Sequence, residues 1–239
     1  MLFYEKDNGE GCVLGLAELL EIRHGVTAVM GGGGKTTLLR TLGEELAADG
    51  GRVLLCATTK FFPFADIPNL TGPAEEALAE ALRTSRLVCA GTTVPGTGKL
   101  TAPAIPMERL VELADYVLVE ADGSAGRPVK AHAPHEPVIP PEAGQTICVV
   151  GASGFGRPIA EAAHRPALYA RLAGLRSTAM VTPAAEAAVL RAEGLHDQIY
   201  VNQAETAADL AAAAALAGLL DCPVLAGSLW KGEYRLCSR

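Results

Sequence analysis

The stretch VTAVMGGGGKTTLLRTLGEELAA, at residues 26–48, decides the fold. Its apolar residues 26–30 predict a strand, its four glycines predict a tight turn, and residues 38–48 predict a helix. In this arrangement backbone N–H groups converge on an anion, and the N-terminus of the helix adds a partial positive charge. We therefore expect the turn to bind the phosphates of ATP or GTP. Lys35 would reach the terminal phosphates, and the hydroxyl of Thr36 would hold Mg²⁺.

The spacing of this turn departs from the standard pattern G-x-x-x-x-G-K-[ST], because the first glycine of that pattern would fall at Val29. A glycine run can also form an ordinary tight turn before a helix, which is the alternative interpretation. The Lys-Thr-Thr sequence directly after the glycines, between a β-branched strand and a helix, favours nucleotide binding.

Strand-like and helix-like segments alternate along the rest of the chain. Strands are predicted at residues 26–30, 52–58, 116–120, 146–150, 199–202 and 224–227, and a hairpin from residues 87–91 and 99–101. Helices are predicted at residues 13–22, 38–48, 73–84, 107–114, 166–172, 183–192 and 206–220. This alternation predicts an α/β fold of the P-loop NTPase type, a three-layer, mostly parallel sheet with helices on both faces. No repeat or linker interrupts it, so we expect one domain over residues 1–239.

Composition excludes several classes of protein. A net charge of −7 argues against a nucleic-acid binder, because phosphate backbones require a basic surface. No apolar run approaches the roughly 18 residues of a membrane span, and the first residues lack the layout of a signal peptide. The six cysteines form no C-x-x-C pair, so a zinc site or a disulfide framework is not expected. These features indicate a cytoplasmic protein with no membrane partner.

A second acidic centre follows the predicted strand at residues 116–120. Residues i and i+2 of a strand point to the same face, so Glu120 and Asp122 are expected to project together from its carboxyl end. Ligands bind at the carboxyl ends of strands in open α/β sheets. We therefore expect Thr36, Glu120 and Asp122 to be the metal ligands, and Lys35, Glu120 and Asp122 to be the catalytic residues. The alternative for the acidic pair is a solvated Asp-Gly turn.

Two further strand ends carry candidate ligand contacts. Residues 58–60 (TTK) offer hydroxyls and an ammonium to a γ-phosphate or a phosphorylated substrate, or else form an exposed turn. Residues 202–205 (NQAE) lie where guanine-specific P-loop proteins carry Asn-Lys-x-Asp, so Asn202 is expected to contact a base; a turn or cap role is the alternative. The choice between ATP and GTP stays open. The expected nucleotide-binding residues are Gly31, Gly32, Gly33, Gly34, Lys35, Thr36, Thr37, Thr59, Lys60 and Asn202.

With these motifs in order, and with VEADGSAGRPVKAHAPHEPVIP at residues 119–140, the chain resembles the YqeC family. Members of that family are described as accessory proteins linked to selenium use in molybdenum hydroxylases. The resemblance implies a P-loop protein that binds Mg²⁺ and a nucleotide and acts as an NTPase. It would assist the maturation or selenium loading of a molybdenum hydroxylase, whose maturation proteins are the implied partners. Two competing functions remain, namely a small-molecule kinase and a nucleotide-sensing interaction module without turnover.

Other residues have weaker signals. His132 and His135 either contact the site or brace a proline-rich loop, and metal ligation is the less favoured role. Residues 151–156 form a glycine turn or a loop that lines the substrate. Trp230 is interpreted as a packing residue.

Overall fold

The structure is a computed structural model that describes residues 3–4 and 14–238. Its strands are β1 (Phe3–Tyr4), β2 (Gly25–Gly31), β3 (Val53–Ala57), β4 (Asn69–Thr71), β5 (Leu87–Val94), β6 (Lys99–Thr101), β7 (Tyr116–Glu120), β8 (Val129–Lys130), β9 (Ala143–Gly151), β10 (Ala163–His164), β11 (Gln198–Asn202), β12 (Val224–Ser228) and β13 (Glu233–Ser238). Its helices are α1 (Leu16–Leu19), α2 (Lys35–Ala48), α3 (Glu75–Ser85), α4 (Met107–Leu113), α5 (Ile159–Ala162), α6 (Pro166–Leu172), α7 (Pro183–Glu193) and α8 (Ala207–Ala217).

One mostly parallel sheet runs through the described residues. Its strand order is β1-β13-β12-β11-β9-β2-β7-β3-β5-β4, and β6 pairs with β5 beside this path. The β6, β13 and β1 pairings are antiparallel, whereas every other pairing along the path is parallel. Strand β2 lies between β9 and β7, so the glycine turn and the end of β7 are neighbours at the carboxyl edge.

Helices cover both faces of the sheet because buried side chains alternate along each central strand. In β2, Val29 packs in a cluster with Leu38 and Leu42 of α2, whereas Ala28 and Met30 pack in the cluster that contains α6, α7 and α8. Helices α3 and α4 pack over β3, β5 and β7 in a third cluster. The predicted three-layer α/β fold, with a mostly parallel sheet and helices on both faces, is confirmed.

The helix starts differ in how their free N–H groups are satisfied. Thr182 caps α7 by accepting a hydrogen bond from the Ala185 N–H, and Thr206 forms a capping box with Asp209 at α8. Helix α2 follows Gly34, and no side chain caps it. Its first N–H groups are therefore left available at the carboxyl edge of the sheet.

The structure also departs from the expected elements in places. The hairpin is present as β5 and β6, but the edge strand β4 and the strand β13 were not predicted. The predicted first helix is reduced to α1, and Val13, its expected first residue, lies outside the described residues. Within the proline-rich stretch, β8 pairs only with β10 in a small separate sheet, so this stretch stays outside the main sheet as expected.

Candidate functional site

The glycine turn between β2 and α2 is closely packed against its neighbours. A Cβ atom on Gly32 would lie 2.5 Å from the carbonyl oxygen of Arg127. Gly34 has a φ of +128°, and a Cβ atom there would lie 2.3 Å from Nδ2 of Asn202. Only glycine fits at these two positions, because any larger residue would collide with backbone or with a bonded amide.

The amides of residues 31–33 are bonded within the protein, whereas those of residues 34–37 are not. The first three donate to Asp122 Oδ2 at 3.1 Å, to the Val149 carbonyl at 2.9 Å and to the Arg127 carbonyl at 3.1 Å. The N–H groups of residues 34–37 have no acceptor among the described residues. The amides open to a ligand therefore begin at Gly34, later in the turn than the sequence suggested.

Lys35, the first residue of α2, has its ammonium group at the turn. Its Nζ lies 2.7 Å from the carbonyl oxygen of Gly31 and 3.2 Å from Asp122 Oδ1, and the residue is only 4% exposed. These two contacts hold the charge beside the uncapped end of α2.

Thr36 and Glu120 form a pair of oxygen ligands. The Thr36 hydroxyl donates to Glu120 Oε2 at 2.8 Å, although the two residues are 84 positions apart. Burial raises the pKa of the Glu120 carboxyl, while the nearby Lys35 ammonium and the Thr36 hydrogen bond act in the opposite direction. The structure thus brings together two of the three expected metal ligands.

Asp122, the third expected ligand, points elsewhere and is 0% exposed. Its Oδ2 lies 3.1 Å from the Gly31 N–H, 3.0 Å from Lys130 Nζ and 2.7 Å from His132 Nε2, while its Oδ1 faces Lys35. Burial would raise the pKa of this carboxyl, but the histidine hydrogen bond and the two lysine charges outweigh it and hold the pKa well below its ordinary value.

The orientation of Asp122 differs from the expected one. Strand β7 ends at Glu120, so the strict alternation that placed both carboxylates on one face does not extend to Asp122. Both oxygens face protein cations or donors, and the side chain is sealed from solvent. This geometry favours a role in positioning the glycine turn and Lys35, and metal ligation or catalysis by Asp122 stays a prediction.

His132 joins Asp122 to helix α7. Its Nδ1 lies 2.7 Å from Glu193 Oε2, and its backbone N–H donates to Glu193 Oε1 at 2.6 Å. Burial acts to lower the pKa of His132, but its two carboxylate partners raise it above its ordinary value and favour the imidazolium. His132 therefore reaches the site through Asp122, whereas His135 lies outside it, 3.5 Å from Arg165 Nη2.

Lys130 completes this buried group of charges. Its ammonium lies 2.6 Å from the Gly123 carbonyl oxygen, 3.0 Å from Asp122 and 3.0 Å from Glu136 Oε1. Sequence spacing gave no sign of Glu193, which approaches from a helix 61 residues after His132. The hint in the sequence is Lys130, a charged residue between the apolar Val129 and Ala131, which are both buried.

Asn202 lies beside the glycine turn, and its amide is engaged by the protein. Its Nδ2 donates to the Gly33 carbonyl oxygen at 2.7 Å, and its Oδ1 accepts from the Leu229 N–H at 3.2 Å. This geometry favours a brace between the turn and the loop after β12 over recognition of a base.

Thr59 and Lys60 lie at the end of β3, two strands from β2 in the sheet order. The Thr59 hydroxyl oxygen is buried and has no hydrogen-bond partner among the described residues. Lys60 is exposed and lines a cleft of about 610 Å³. The other walls of this cleft are formed by residues 33–37, 61–62, 99, 120, 123–126 and 203.

The interpretation of Trp230 as a packing residue is wrong. Its side chain is 92% exposed in the turn between β12 and β13, directly after the Leu229 that Asn202 holds. Apart from Leu229, the apolar residues near Trp230 in the sequence lie in the strands β12 and β13, whereas Trp230 itself lies in the turn between them.

No group of three or more His, Cys, Asp or Glu side chains in the described part of the chain is placed to hold a metal ion. None of the helices described here has the length and apolar character that crossing a membrane requires.

Comparisons with known proteins agree with the sequence resemblance. The family model described as "YqeC protein" matches residues 27–167, which is more than half of the 239 residues. The chain is also 38% identical over 158 residues to a protein of Escherichia coli (strain K12) named "Uncharacterized protein YqeC". That alignment covers 63% of this chain and 61% of the relative. The matched family segment contains the glycine turn, Glu120, Asp122 and His132, and the chain belongs to the YqeC family.

Proposed function

We propose that the cleft binds a nucleoside triphosphate, with its phosphates at the N-terminus of α2. The observation that carries this proposal is the set of N–H groups at residues 34–37, which have no acceptor among the described residues and line the cleft. Helices α7 and α8 are capped by threonines, whereas this longer helix is not. Phosphate oxygens would satisfy these donors, and the helix dipole and Lys35 would stabilise their negative charge.

The pair Thr36 and Glu120 fits Mg²⁺. Both side chains line the same cleft and offer oxygen atoms, which this cation prefers. Mg²⁺ usually takes one or two protein oxygens and completes its six positions with phosphates and waters, so two protein ligands suffice. When bound, the ion would neutralise phosphate charge, and its own charge would favour the ionised form of Glu120.

We further propose that the site hydrolyses its nucleotide, with Lys35 stabilising charge on the phosphoryl group. Glu120 is the cleft carboxylate that would orient a water or the metal, since Asp122 is sealed among its partners. Whether the base is adenine or guanine is left to competition experiments, because Asn202 is occupied as a brace.

A small-molecule kinase is the second candidate. Lys60 and Lys99 line the cleft beyond Glu120, where an acceptor would lie next to the terminal phosphate. Phosphate released without an acceptor would identify a hydrolase, and a phosphorylated small molecule would identify a kinase. Tight binding with neither product would indicate a nucleotide-sensing module.

From the family resemblance we propose the cellular role, which is to assist the maturation or selenium loading of a molybdenum hydroxylase. In a host that makes such a hydroxylase, deletion of the gene should lower hydroxylase activity and the selenium content of that enzyme. The parent gene should restore both, and the Lys35→Ala gene should restore neither. Full restoration by Lys35→Ala would separate this role from nucleotide binding.

Calorimetric titration with Mg–ATP and Mg–GTP tests the binding proposal. Lys35→Ala removes a charged donor worth about 1.5–3 kcal/mol, so affinity for the preferred nucleotide should fall about 10- to 100-fold. Lys231→Ala is the matched control, because Lys231 is half-exposed, pairs with Glu205 and does not line the cleft. Equal affinity of the parent and Lys35→Ala would refute the nucleotide site.

A further inference from the structure

The cleft carries positive charge on the side away from α2. Lys60 follows β3 and Lys99 begins β6, whereas the glycine turn follows β2. Strand β7 separates β2 from β3 in the sheet, so these two lysines lie beyond Glu120 as seen from the uncapped helix. Lys60, Lys99, Glu120 and the start of α2 line the same cleft.

The backbone around these lysines is fixed. Phe61 and Leu100 exchange two backbone hydrogen bonds, of 3.0 and 2.9 Å, and both side chains are buried in the core. Lys60 and Lys99 are each next to one member of this pair. Their main-chain positions are therefore set by the core, not by a free loop.

Phe62 orients the second lysine. Its ring is 62% exposed, and the ammonium of Lys99 lies 4.7 Å from the ring centroid. A cation–π contact of this kind restrains the flexible lysine side chain without neutralising its charge.

Lys60 and Lys99 differ from the other described lysines in having no carboxylate partner. Lys35 and Lys130 both contact Asp122, and Lys231 pairs with Glu205. Within the described part of the chain, neither Lys60 nor Lys99 has a carboxylate within 4 Å, although the protein as a whole carries an excess of acidic residues. Cations without a carboxylate partner that share one cleft attract anions.

We propose that Lys60 and Lys99 form a second anion subsite, which binds the phosphate or carboxylate of a small-molecule ligand other than the nucleotide. This inference rests on the proposed function only in taking the N-terminus of α2 as the first anion site. The ligand would lie across Glu120 from the nucleotide phosphates, with Phe62 holding Lys99 in position.

Calorimetric titration with inorganic pyrophosphate in Mg²⁺-free buffer tests the subsite. The parent protein should bind two equivalents, Lys35→Ala should keep the equivalent at the lysine pair, and Lys60→Ala/Lys99→Ala should keep the equivalent at α2. The double variant should weaken the second equivalent at least about tenfold. Phe62→Leu keeps apolar bulk but removes the ring, so it should weaken the same equivalent about two- to fivefold.

The matched control is Arg23→Ala/Lys231→Ala, which removes the same amount of charge outside the cleft and should leave two equivalents. A single equivalent in the parent would overturn the proposal. So would two equivalents of unchanged affinity in Lys60→Ala/Lys99→Ala, or loss of both equivalents in that variant while its circular dichroism stays native. If Lys35→Ala alone leaves both equivalents intact, the nucleotide site fails, and the lysine pair is still judged by its own variant.

Discussion

Replacing Asp122 by Asn would test whether this residue maintains the structure of the site instead of binding metal. The substitution keeps the shape of the side chain and removes its charge. Three donors converge on Oδ2 and one cation faces Oδ1, so the amide NH₂ of Asn must point at donors whichever way it is turned. The charges around position 122 would then be unbalanced, with the cations Lys35, Lys130 and His132 facing fewer carboxylates.

The expected cost follows from burial. Removing one partner of a buried ion pair typically destabilises a protein by about 3–5 kcal/mol, because the remaining charges are left uncompensated. For a chain of this size, each kcal/mol lowers the melting temperature by about 2–4 °C, so Asp122→Asn should lower it by roughly 6–20 °C. Calorimetric or circular-dichroism melts of the nucleotide-free protein would measure this loss.

Glu120→Gln is the matched control, because Glu120 ends the same strand and is also buried, but it contacts a single hydroxyl, that of Thr36. It should leave the melting temperature within about 2 °C and weaken the Mg²⁺ dependence of nucleotide binding. An unchanged melting temperature in Asp122→Asn, together with a lost Mg²⁺ response, would refute the positioning role and restore Asp122 as a metal ligand.

Three other substitutions have defined outcomes. Gly32→Ala should disrupt the turn and abolish nucleotide binding measured by calorimetry, because its Cβ would lie 2.5 Å from a carbonyl oxygen; unchanged binding would show that the turn yields easily. The Tyr169 hydroxyl donates a hydrogen bond to Glu186, and burial raises the pKa of this carboxyl to about 7, so the folded state holds its proton more tightly than the unfolded state. The stability linked to this proton is present at low pH and is lost as pH rises through about 7. Glu186→Gln should therefore raise the free energy of unfolding above that of the parent by about 3 kcal/mol at about pH 8, and by almost nothing near pH 4. Urea unfolding curves at the two pH values would measure this difference. Asn202→Ala frees the Gly33 carbonyl and should weaken ATP and GTP binding equally in competition assays; selective loss of one nucleotide would return Asn202 to base recognition.

The layered fold is readable from sequence because it depends on local periodicity. Residues 116–119 form an apolar run that ends in Glu120, and the strand β7 has the predicted bounds 116–120. The strand–glycine–helix order around residue 31 likewise placed the turn at the carboxyl edge of the sheet. The edge strand β4 was missed because it has three residues, of which Asn69 and Thr71 are exposed, and this is too short for a clear pattern.

The site was only partly readable because its contacts depend on residues that are distant in sequence. The ends of β2 and β7 predicted that Thr36 and Glu120 would be near each other. The contacts of the Asp122 side chain depend on Lys130, on His132 and on the helix that carries Glu193. No spacing rule links these residues in the sequence. Asn202 was correctly placed at a strand end. Its hydrogen bond to Gly33, 169 positions away, could not be predicted, and this bond favours a bracing role over contact with a base.

The exposed Trp230 gives the protein an intrinsic optical probe. The chain contains one tryptophan, so its fluorescence is not mixed with that of other indoles. Its neighbour Leu229 is bonded to Asn202, which in turn holds the Gly33 carbonyl oxygen. A ligand that shifts the glycine turn would move this short chain of contacts and change the polarity and quenching around the indole. Stopped-flow emission of the unlabelled protein can therefore follow the arrival and departure of a ligand in real time.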